Sequence, residues 1–595
     1  MVKKAGPTRD PALEAAVALQ NAGRQPEAEA AYRAILRLRP TLAPALSNLS
    51  VILRKTGRLA EARRCLETAV QNHPKHAASW SNLTNVYSDL NLKREAVDAG
   101  RQAVLHAPGQ ARPLGVLGWA LWKQDSFDEA RQCMEESLAI QPRDALNWNN
   151  LGNVHQRQCN IGLAIECYRR ALEIDPGLSM AMQNIAFCMH FTDDYSPQDI
   201  AQAHRDWAAR FEAARGPALT APPPMNLAKP RLRVGFMSPD FRDHPVAAFF
   251  RPLIRHWPRE RFELWFYSEV RSPDAVTDWL RQRSDGWVDT PGLDDSALAH
   301  RIRADGIDIL VDLCGHTGGS RLLAMAHRPA PVQVSWLGYF DTTGMKSVDF
   351  LMADTVCVQP GDEPRFTETV VRLPDDFVCY EPPSVLPRIG PLPADSTGHF
   401  TFGSQNQLVK LTPRVIGLWA RIVNAVPGSR LLLAGRALND ASTCERFAKD
   451  FESQGLARTR LELRPSAPQQ SVLAAYNEID LALDPFPCAG GTTTCEALVM
   501  GVPVLSLFGD RFAGRHSAAH LQAAGLGEFV VHSEEAYAAR AVALATQPEP
   551  LRQLRSSLRE NLPQTHLCDG IRFSSHFASA LEVMWACKAK QMLRN

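Results

Sequence analysis

Apolar positions in the first third of the chain recur at helical spacing. They come as pairs of amphipathic stretches, such as WNNLGNVHQRQ followed by LAIECYRRALEI, with a small residue or a turn between. The pair itself repeats. Pro40, Pro74, Pro108, Pro142 and Pro176 stand 34 residues apart, and so do Ala28, Ala62, Ala96, Ala130 and Ala164. Alanine lets two helices approach where they cross, and proline cannot continue the second helix of a pair. Asn48, Asn82, Asn150 and Asn184 keep the same register, with Val116 interrupting the column. Five helix pairs are predicted over 7–176, with a sixth, degenerate one from 177 to about 210.

Beyond a proline-rich linker at 215–230 the pattern changes to strands. LRVGFM (232–237), FELWFYSEV (262–270), IDILVDL (307–313), PVQVSWL (331–337) and VDFLMAD (348–354) are strand-like, with helical stretches between several of them. A second linker at 381–397 precedes FTFGSQ (400–405), SRLLLAG (429–435), RLELRP (460–465), IDLALD (479–484) and VPVLSLF (502–508). Strand–helix alternation, twice over, predicts two doubly wound parallel-sheet domains in tandem. The expected class is α followed by α/β: a repeat superhelix over 1–214, the linker 215–230, a first lobe over 231–380, the interlobe linker 381–397 and a second lobe over 398–595. Ligands of such sheets sit beyond the strands' carboxyl ends, which puts the expected site in a cleft between the lobes.

Composition narrows the class. The 65 Lys and Arg balance 64 Asp and Glu, so no global field draws in nucleic acid or an anionic membrane. The N-terminus MVKKAGPTRDPALEAA has no apolar secretory core, and nothing approaches a spanning run of about 18 apolar residues. The 13 cysteines are scattered, without a C-x-x-C pair, as befits reduced and mostly buried thiols. A cytoplasmic protein with neither nucleic acid nor membrane as partner is expected.

Four polar loops follow predicted strands. In MSPDFRDHPVAAFF, His244 precedes a helix, where it either faces the cleft or caps the helix. In VDLCGHTGGSR, Gly315, Gly318 and Gly319 permit close backbone approach to a ligand, and His316 is either a site residue or a satisfied loop histidine. In FGSQNQLVKLTP, Gln405, Asn406, Gln407 and Lys410 follow the first strand of the second sheet. A lysine there suits a diphosphate, because a point charge stabilises developing negative charge; the alternative is a solvated surface lysine. PFPCAGGTTTCEAL (485–498) sets two glycines and three threonines at a strand-to-helix turn, which is either an ordinary cap or a phosphate seat of free helix N–H groups. Arg511 and Arg515 follow near the next helix start. There is no P-loop, no G-x-G-x-x-G after a strand, no H-E-x-x-H and no D-x-D, so no metal site is expected. A departing diphosphate would then be balanced by protein cations and a helix N-terminus.

The 34-residue repeats resemble tetratricopeptide repeats, which form a curved solenoid with a peptide-binding concave face. Joined to MSPDFRDHP, LCGHTGGSR, RPAPVQVSWLGY, FGSQNQLVKLTP and CAGGTTTCEALVMGVPVL, over about residues 40–565, they resemble the protein O-linked N-acetylglucosamine transferases of glycosyltransferase family 41, and the chain looks like a bacterial homologue. The resemblance implies a tetratricopeptide superhelix followed by a GT-B pair of Rossmann-like lobes. It implies metal-independent, inverting transfer of N-acetylglucosamine from UDP-GlcNAc, a co-substrate, to Ser/Thr hydroxyls of proteins, with no cofactor. Asn48, Asn82, Asn150 and Asn184 would grip acceptor polypeptide; read from the residues alone, the column serves equally as helix–helix packing. His244 would lie beside sugar and acceptor, with either it or a substrate phosphate oxygen as the base. Lys410 would pair with the diphosphate and Gln407 with the phosphate–sugar region. Thr492, Thr493 and the N–H groups around Gly490 and Gly491 would hold the β-phosphate, Glu496 the ribose hydroxyls, and His316 would complete the nucleotide-sugar site.

The chain also departs from the animal enzymes. Ala489-Gly490-Gly491-Thr492-Thr493 stands where they have Asn-Gly-His-Thr-Thr, uncharged PQQSVLAAY (468–476) replaces basic residues, and only the linker 381–397 stands where they insert a long domain. Two alternatives follow: a UDP-sugar transferase with another sugar or acceptor, and a peptide-binding repeat scaffold with a degenerate nucleotide-binding lobe pair.

Overall fold

The computed structural model describes residues 10–212 and 223–594; the start of the expected first repeat (7–9) and residues 215–222 of the expected linker lie outside them. The chain divides into two units. One runs to Val154 and takes in Pro291–Leu293; the other comprises His155–Thr290 and Asp294 onward.

The first unit holds most of the repeat array, whose last repeats belong to the second. Helices Ala43–Lys55, Ala77–Asp89, Ala111–Lys123 and Ala145–Arg157 open successive repeats, and Gln25–Leu38, Leu59–Asn72, Lys93–His106 and Phe127–Ile140 close the first four. Each alanine of the column, from Ala28 to Ala164, is 0% exposed, because a methyl group is all that the helix crossing admits. The turn within each pair takes a left-handed residue: Gly23 (φ 76°), Gly57 (φ 76°), Asn91 (φ 59°), Asp125 (φ 66°) and Cys159 (φ 61°). That column escapes notice in the sequence, since glycine, the residue best suited to positive φ, fills it only twice.

Asn82 settles into the packing alternative. Its Nδ2 donates to Ser47 Oγ (2.8 Å) in the preceding repeat, and its Oδ1 accepts from Arg112 Nη2 (2.8 Å) in the following one. Asn48 and Asn150, in the same register, are half-buried.

In the second unit the repeats continue through Ile161–Ile174 and Ser179–Cys188, and Pro197–Phe211 opens with a capping box of Ser196 and Asp199. Two parallel sheets follow. The first holds β1 (Leu232–Ser238), β2 (Phe262–Ser268), β3 (Gly286–Asp289), β4 (Ile309–Asp312), β5 (Val332–Ser335), β6 (Phe350–Asp354) and β7 (Thr369–Leu373), in the order β3-β2-β1-β4-β5-β6-β7. The second holds β8 (Thr401–Ser404), β9 (Arg430–Ala434), β10 (Leu461–Arg464), β11 (Leu481–Leu483), β12 (Val504–Leu507) and β13 (Val530–Val531), in the order β10-β9-β8-β11-β12-β13. The expected strands are present. β3, β7 and β13 are additions at sheet edges, too short or too exposed to show as apolar runs.

The last helix, Gly570–Arg594, falls within the span assigned by sequence to the second lobe but packs on the first. Phe577 meets Trp336 at 4.6 Å between ring centroids, Ser574 Oγ donates to the His256 carbonyl (2.7 Å), and Lys588 pairs with Asp349 (2.5 Å). Among the described residues, no helix is long and apolar enough to cross a membrane.

Candidate active site

In each sheet the strand order reverses between two central strands, β1 and β4 in the first and β8 and β11 in the second. Loops leaving adjacent strands in opposite directions open a crevice at that point, where ligands of doubly wound sheets bind. The four loops singled out from the sequence follow these four strands.

After β8 the chain makes a short turn, Leu408–Lys410, before Thr412 caps helix Pro413–Ala425 through its Oγ1. Gln407 is exposed and Asn406 buried. Lys410 Nζ donates to the Ala489 carbonyl (2.5 Å) and lies 3.5 Å from Asn406 Oδ1. Thr493 Oγ1 donates to the same Asn406 oxygen at 2.9 Å, so Asn406 ties the lysine loop to the glycine–threonine turn.

After β11, the buried carboxylate of Asp484 accepts from Gly490 N and from Ser506 Oγ, both at 2.7 Å. Thr494 and Ser517 hydroxyls meet at 2.7 Å, and Ser517 Oγ donates to the Gly490 carbonyl. The turn is packed too tightly for a side chain at 490: a Cβ there would stand 2.4 Å from Thr494 Oγ1 and 2.9 Å from Asp484 Oδ1. Gly491 then starts helix Thr492–Val499 with no side-chain cap. The first N–H groups of a helix lack intrahelical partners, so an uncapped start beside a lysine is an anion seat. One turn on, burial pushes the Glu496 carboxyl up to about 7, and its charge is felt by Tyr380 and Tyr476.

On the first lobe His244 caps helix Pro245–Arg255: Nδ1 accepts from Val246 N at 3.3 Å and lies 3.6 Å from Asp240 Oδ2. Burial lowers its pKa, although the Asp240 charge opposes this. An imidazole whose Nδ1 accepts carries its proton on Nε2. Phe249 of the same helix stacks on His520 of helix His516–Ala523 in the second lobe (5.9 Å), and His520 pairs with Asp376 (2.6 Å).

His316 is not brought to the site surface. It is buried, with Nε2 2.8 Å from the Thr343 carbonyl and Nδ1 3.3 Å from Gln183, and its ring lies against Trp207 and His204. Both nitrogens are engaged inside the protein, so the satisfied loop histidine replaces the nucleotide contact expected from sequence. Arg511 and Arg515 are likewise structural: Arg515 spans the lobes to Asp362 (2.5 Å), and Arg511 is held by Asp510 and the Tyr195 carbonyl. Sequence reasoning passed over Asp484 and Ser517, which shape the Gly490 turn. Only the carboxylate, closing a strand just before the glycines, left a readable signal.

The model of "Glycosyl transferase family 41" matches residues 198–389 and 391–577, and tetratricopeptide-repeat models match 19–85, 114–141 and 145–178. The chain is 37% identical over 419 residues to the "Probable UDP-N-acetylglucosamine--peptide N-acetylglucosaminyltransferase SPINDLY" of Solanum lycopersicum, covering 70% of this chain and 45% of that one. The correspondingly named SEC protein of Arabidopsis thaliana is 30% identical over 376 residues, covering 60% and 37%. The chain thus spans less than half the length of these curated relatives. Among solved structures, a point mutant of the Thermobaculum terrenum O-GlcNAc transferase superposes with a TM-score of 0.82 at 35% identity, covering 87% of this chain and 98% of that one. With its repeats, its two reversed sheets and a family match across both lobes, the chain belongs to glycosyl transferase family 41.

Proposed function

We propose that the protein is an inverting, metal-independent glycosyltransferase that moves N-acetylglucosamine from UDP-GlcNAc to Ser/Thr hydroxyls of polypeptides. The observation that carries this reading is Lys410, held against the uncapped start of helix Thr492–Val499 with no carboxylate at ion-pair distance among the described residues. Sugar transfer from a nucleotide requires that negative charge be stabilised on the departing diphosphate, and preorganised donors are the largest catalytic term for such steps. The ammonium and the free N–H groups supply that stabilisation from the protein itself. Glu496, further along the same helix, accepts from ribose hydroxyls in this reading.

The hydrogen bond at His244 Nδ1 bears on the base. Its neutral ring presents an Nε2–H, a donor, so His244 orients the acceptor or sugar while the hydroxyl proton passes to a substrate phosphate oxygen. The hydroxyl attacks the anomeric carbon opposite the departing UDP, and one displacement inverts the configuration. Acceptor polypeptide lies along the repeats, with Asn150 available where Asn82 is committed to packing and Asn48 is bonded to the Tyr32 hydroxyl. A second reading, another sugar carried on UDP, draws on the open space at Gly491.

Calorimetry with UDP and UDP-GlcNAc, followed by transfer to a Ser/Thr peptide library with several UDP-sugars, tests the proposal. UDP binding and GlcNAc-modified peptide are expected. No binding at millimolar UDP would overturn it, and transfer of a different sugar alone would favour the second reading.

Glu496 adds a pH dependence. The ionised carboxylate is the better acceptor for hydroxyls, and with a pKa of about 7 it takes up a proton as pH falls. UDP-GlcNAc affinity is therefore expected to weaken by up to about tenfold between pH 8 and pH 6, the limit set by the uptake of one proton at a group titrating midway. UDP-GlcNAc has no phosphate proton titrating there, and Glu496→Gln should flatten the profile. An equally steep profile in the variant would remove Glu496 from the ribose.

A further inference from the structure

Beside the phosphate seat stands a histidine that the seat's own hydrogen bonds leave unused. His516 is the first residue of helix His516–Ala523. Its Nδ1 lies 4.0 Å from where a Cβ on Gly491 would stand, and among the described residues no other atom beyond the glycine's own chain neighbours comes that close. Its Nε2 is buried without a hydrogen-bond partner. Phe340, Phe377 and Phe512 surround the ring at centroid distances of 5.6, 5.2 and 5.3 Å. Burial, with His520 and Lys410 adding to it, keeps the imidazole neutral.

We propose that His516 is a donor-contacting residue, giving an N–H from Nδ1 to an oxygen at the phosphate–sugar junction of the nucleotide sugar seated over Gly491. The inference rests on the nucleotide-sugar reading of this seat. A neutral imidazole has one donor and one acceptor nitrogen, and with Nε2 shut among aromatic rings its Nδ1 edge is the one that can serve a ligand. Gly491 makes room for it: any side chain there would fill the gap between His516 and the helix start. The contact lies beside Lys410 and adds a short-range, directional donor to the lysine's point charge. Sugar recognition here then comes from the next helix of the sheet rather than from the glycine–threonine turn itself.

The test compares His516→Phe, which keeps a ring and deletes both nitrogens, with His516→Asn, whose side-chain N–H falls near the Nδ1 position. UDP-GlcNAc affinity, kcat and KM are measured alongside the melting temperature. The Phe variant is expected to lose about tenfold in kcat/KM, as for removal of one aligned hydrogen bond, and the Asn variant to regain most of it. Wild-type kinetics in the Phe variant, or equal losses in both, would overturn the proposal. If the Phe variant does not fold, His516→Gln, which offers its N–H at the Nε2 position, replaces it: activity kept by Asn and lost by Gln supports the contact, and equal activity overturns it. Lys410→Ala separates this inference from the one beneath it. UDP-GlcNAc affinity and turnover that depend on Lys410 but not on His516 sink this contact alone, whereas a wild-type protein that does not bind UDP sinks the nucleotide-sugar reading itself.

Discussion

Lys410→Ala is expected to lower turnover about 10²–10³-fold, the usual cost of removing one preorganised donor from a developing anion. The side chain is half-buried and its Nζ contacts are the Ala489 carbonyl and Asn406 Oδ1. Neither contact depends on the lysine for the loop's shape. Asn406 keeps its bond from Thr493, and Gly490 stays anchored on Asp484. The loss should therefore fall on kcat and on UDP affinity, with the melting temperature nearly unchanged. Lys410→Arg is not a conservative rescue, because a planar fork cannot occupy the place of a compact ammonium between two loops. Steady-state kinetics with UDP-GlcNAc and a serine peptide, together with calorimetry of UDP, decide the matter. A loss of less than tenfold in kcat would remove Lys410 from leaving-group stabilisation.

The sequence was readable where one residue type answers one local demand. Alanine at a helix crossing and proline after a helix recur at 34 residues because every repeat poses the same problem, so the array showed itself in columns. The left-handed turn poses an equally regular demand, but Asn91, Asp125 and Cys159 meet it as well as Gly23 and Gly57, and the column stayed hidden. Central strands announced themselves as apolar runs because both faces are covered. Edge strands β3, β7 and β13 lack that cover and did not. The site was half legible for a related reason. Lys410 and the Gly490–Thr493 turn stand out in the chain, yet their meeting depends on β8 lying beside β11, a property of strand order rather than of any motif. His316 and Arg515 have the residue types of a site, but the protein itself uses them up, at Thr343 and at Asp362. His516 carries no motif, and only the space above Gly491 picks it out.

Gly338→Ala is expected to be among the most destabilising single changes in the second unit. A Cβ at 338 would stand 1.9 Å from the Leu313 carbonyl oxygen and 2.9 Å from its carbon, both backbone atoms just past the end of β4. Flexible side chains can rotate away from such an overlap, but the exit of a central strand cannot. Asp312, buried at the end of that strand, holds Gly315 N at 2.6 Å, and Gly315 itself (φ 54°) leaves only 2.3 Å between an added Cβ and Tyr339. Tyr339 in turn bonds His204 Nε2 at 2.6 Å, so separating the two loops disturbs a buried layer reaching back to helix Pro197–Phe211. Overpacking costs about 1–3 kcal/mol and more where nothing yields, so about 3 kcal/mol or above is expected here. In a lobe of this size that is a fall of roughly 6–12 °C in melting temperature. Gly318→Ala, in the same loop but with nothing within 4 Å of the added methyl, is the control and should stay within about 0.5 kcal/mol of wild type. Because the Lys410 seat belongs to the other sheet, UDP affinity below the transition should survive in both variants. Equal melting temperatures for the Gly338 and Gly318 variants would show that the loops are free to part, and that His316 and Tyr339 are held less firmly than their contacts imply.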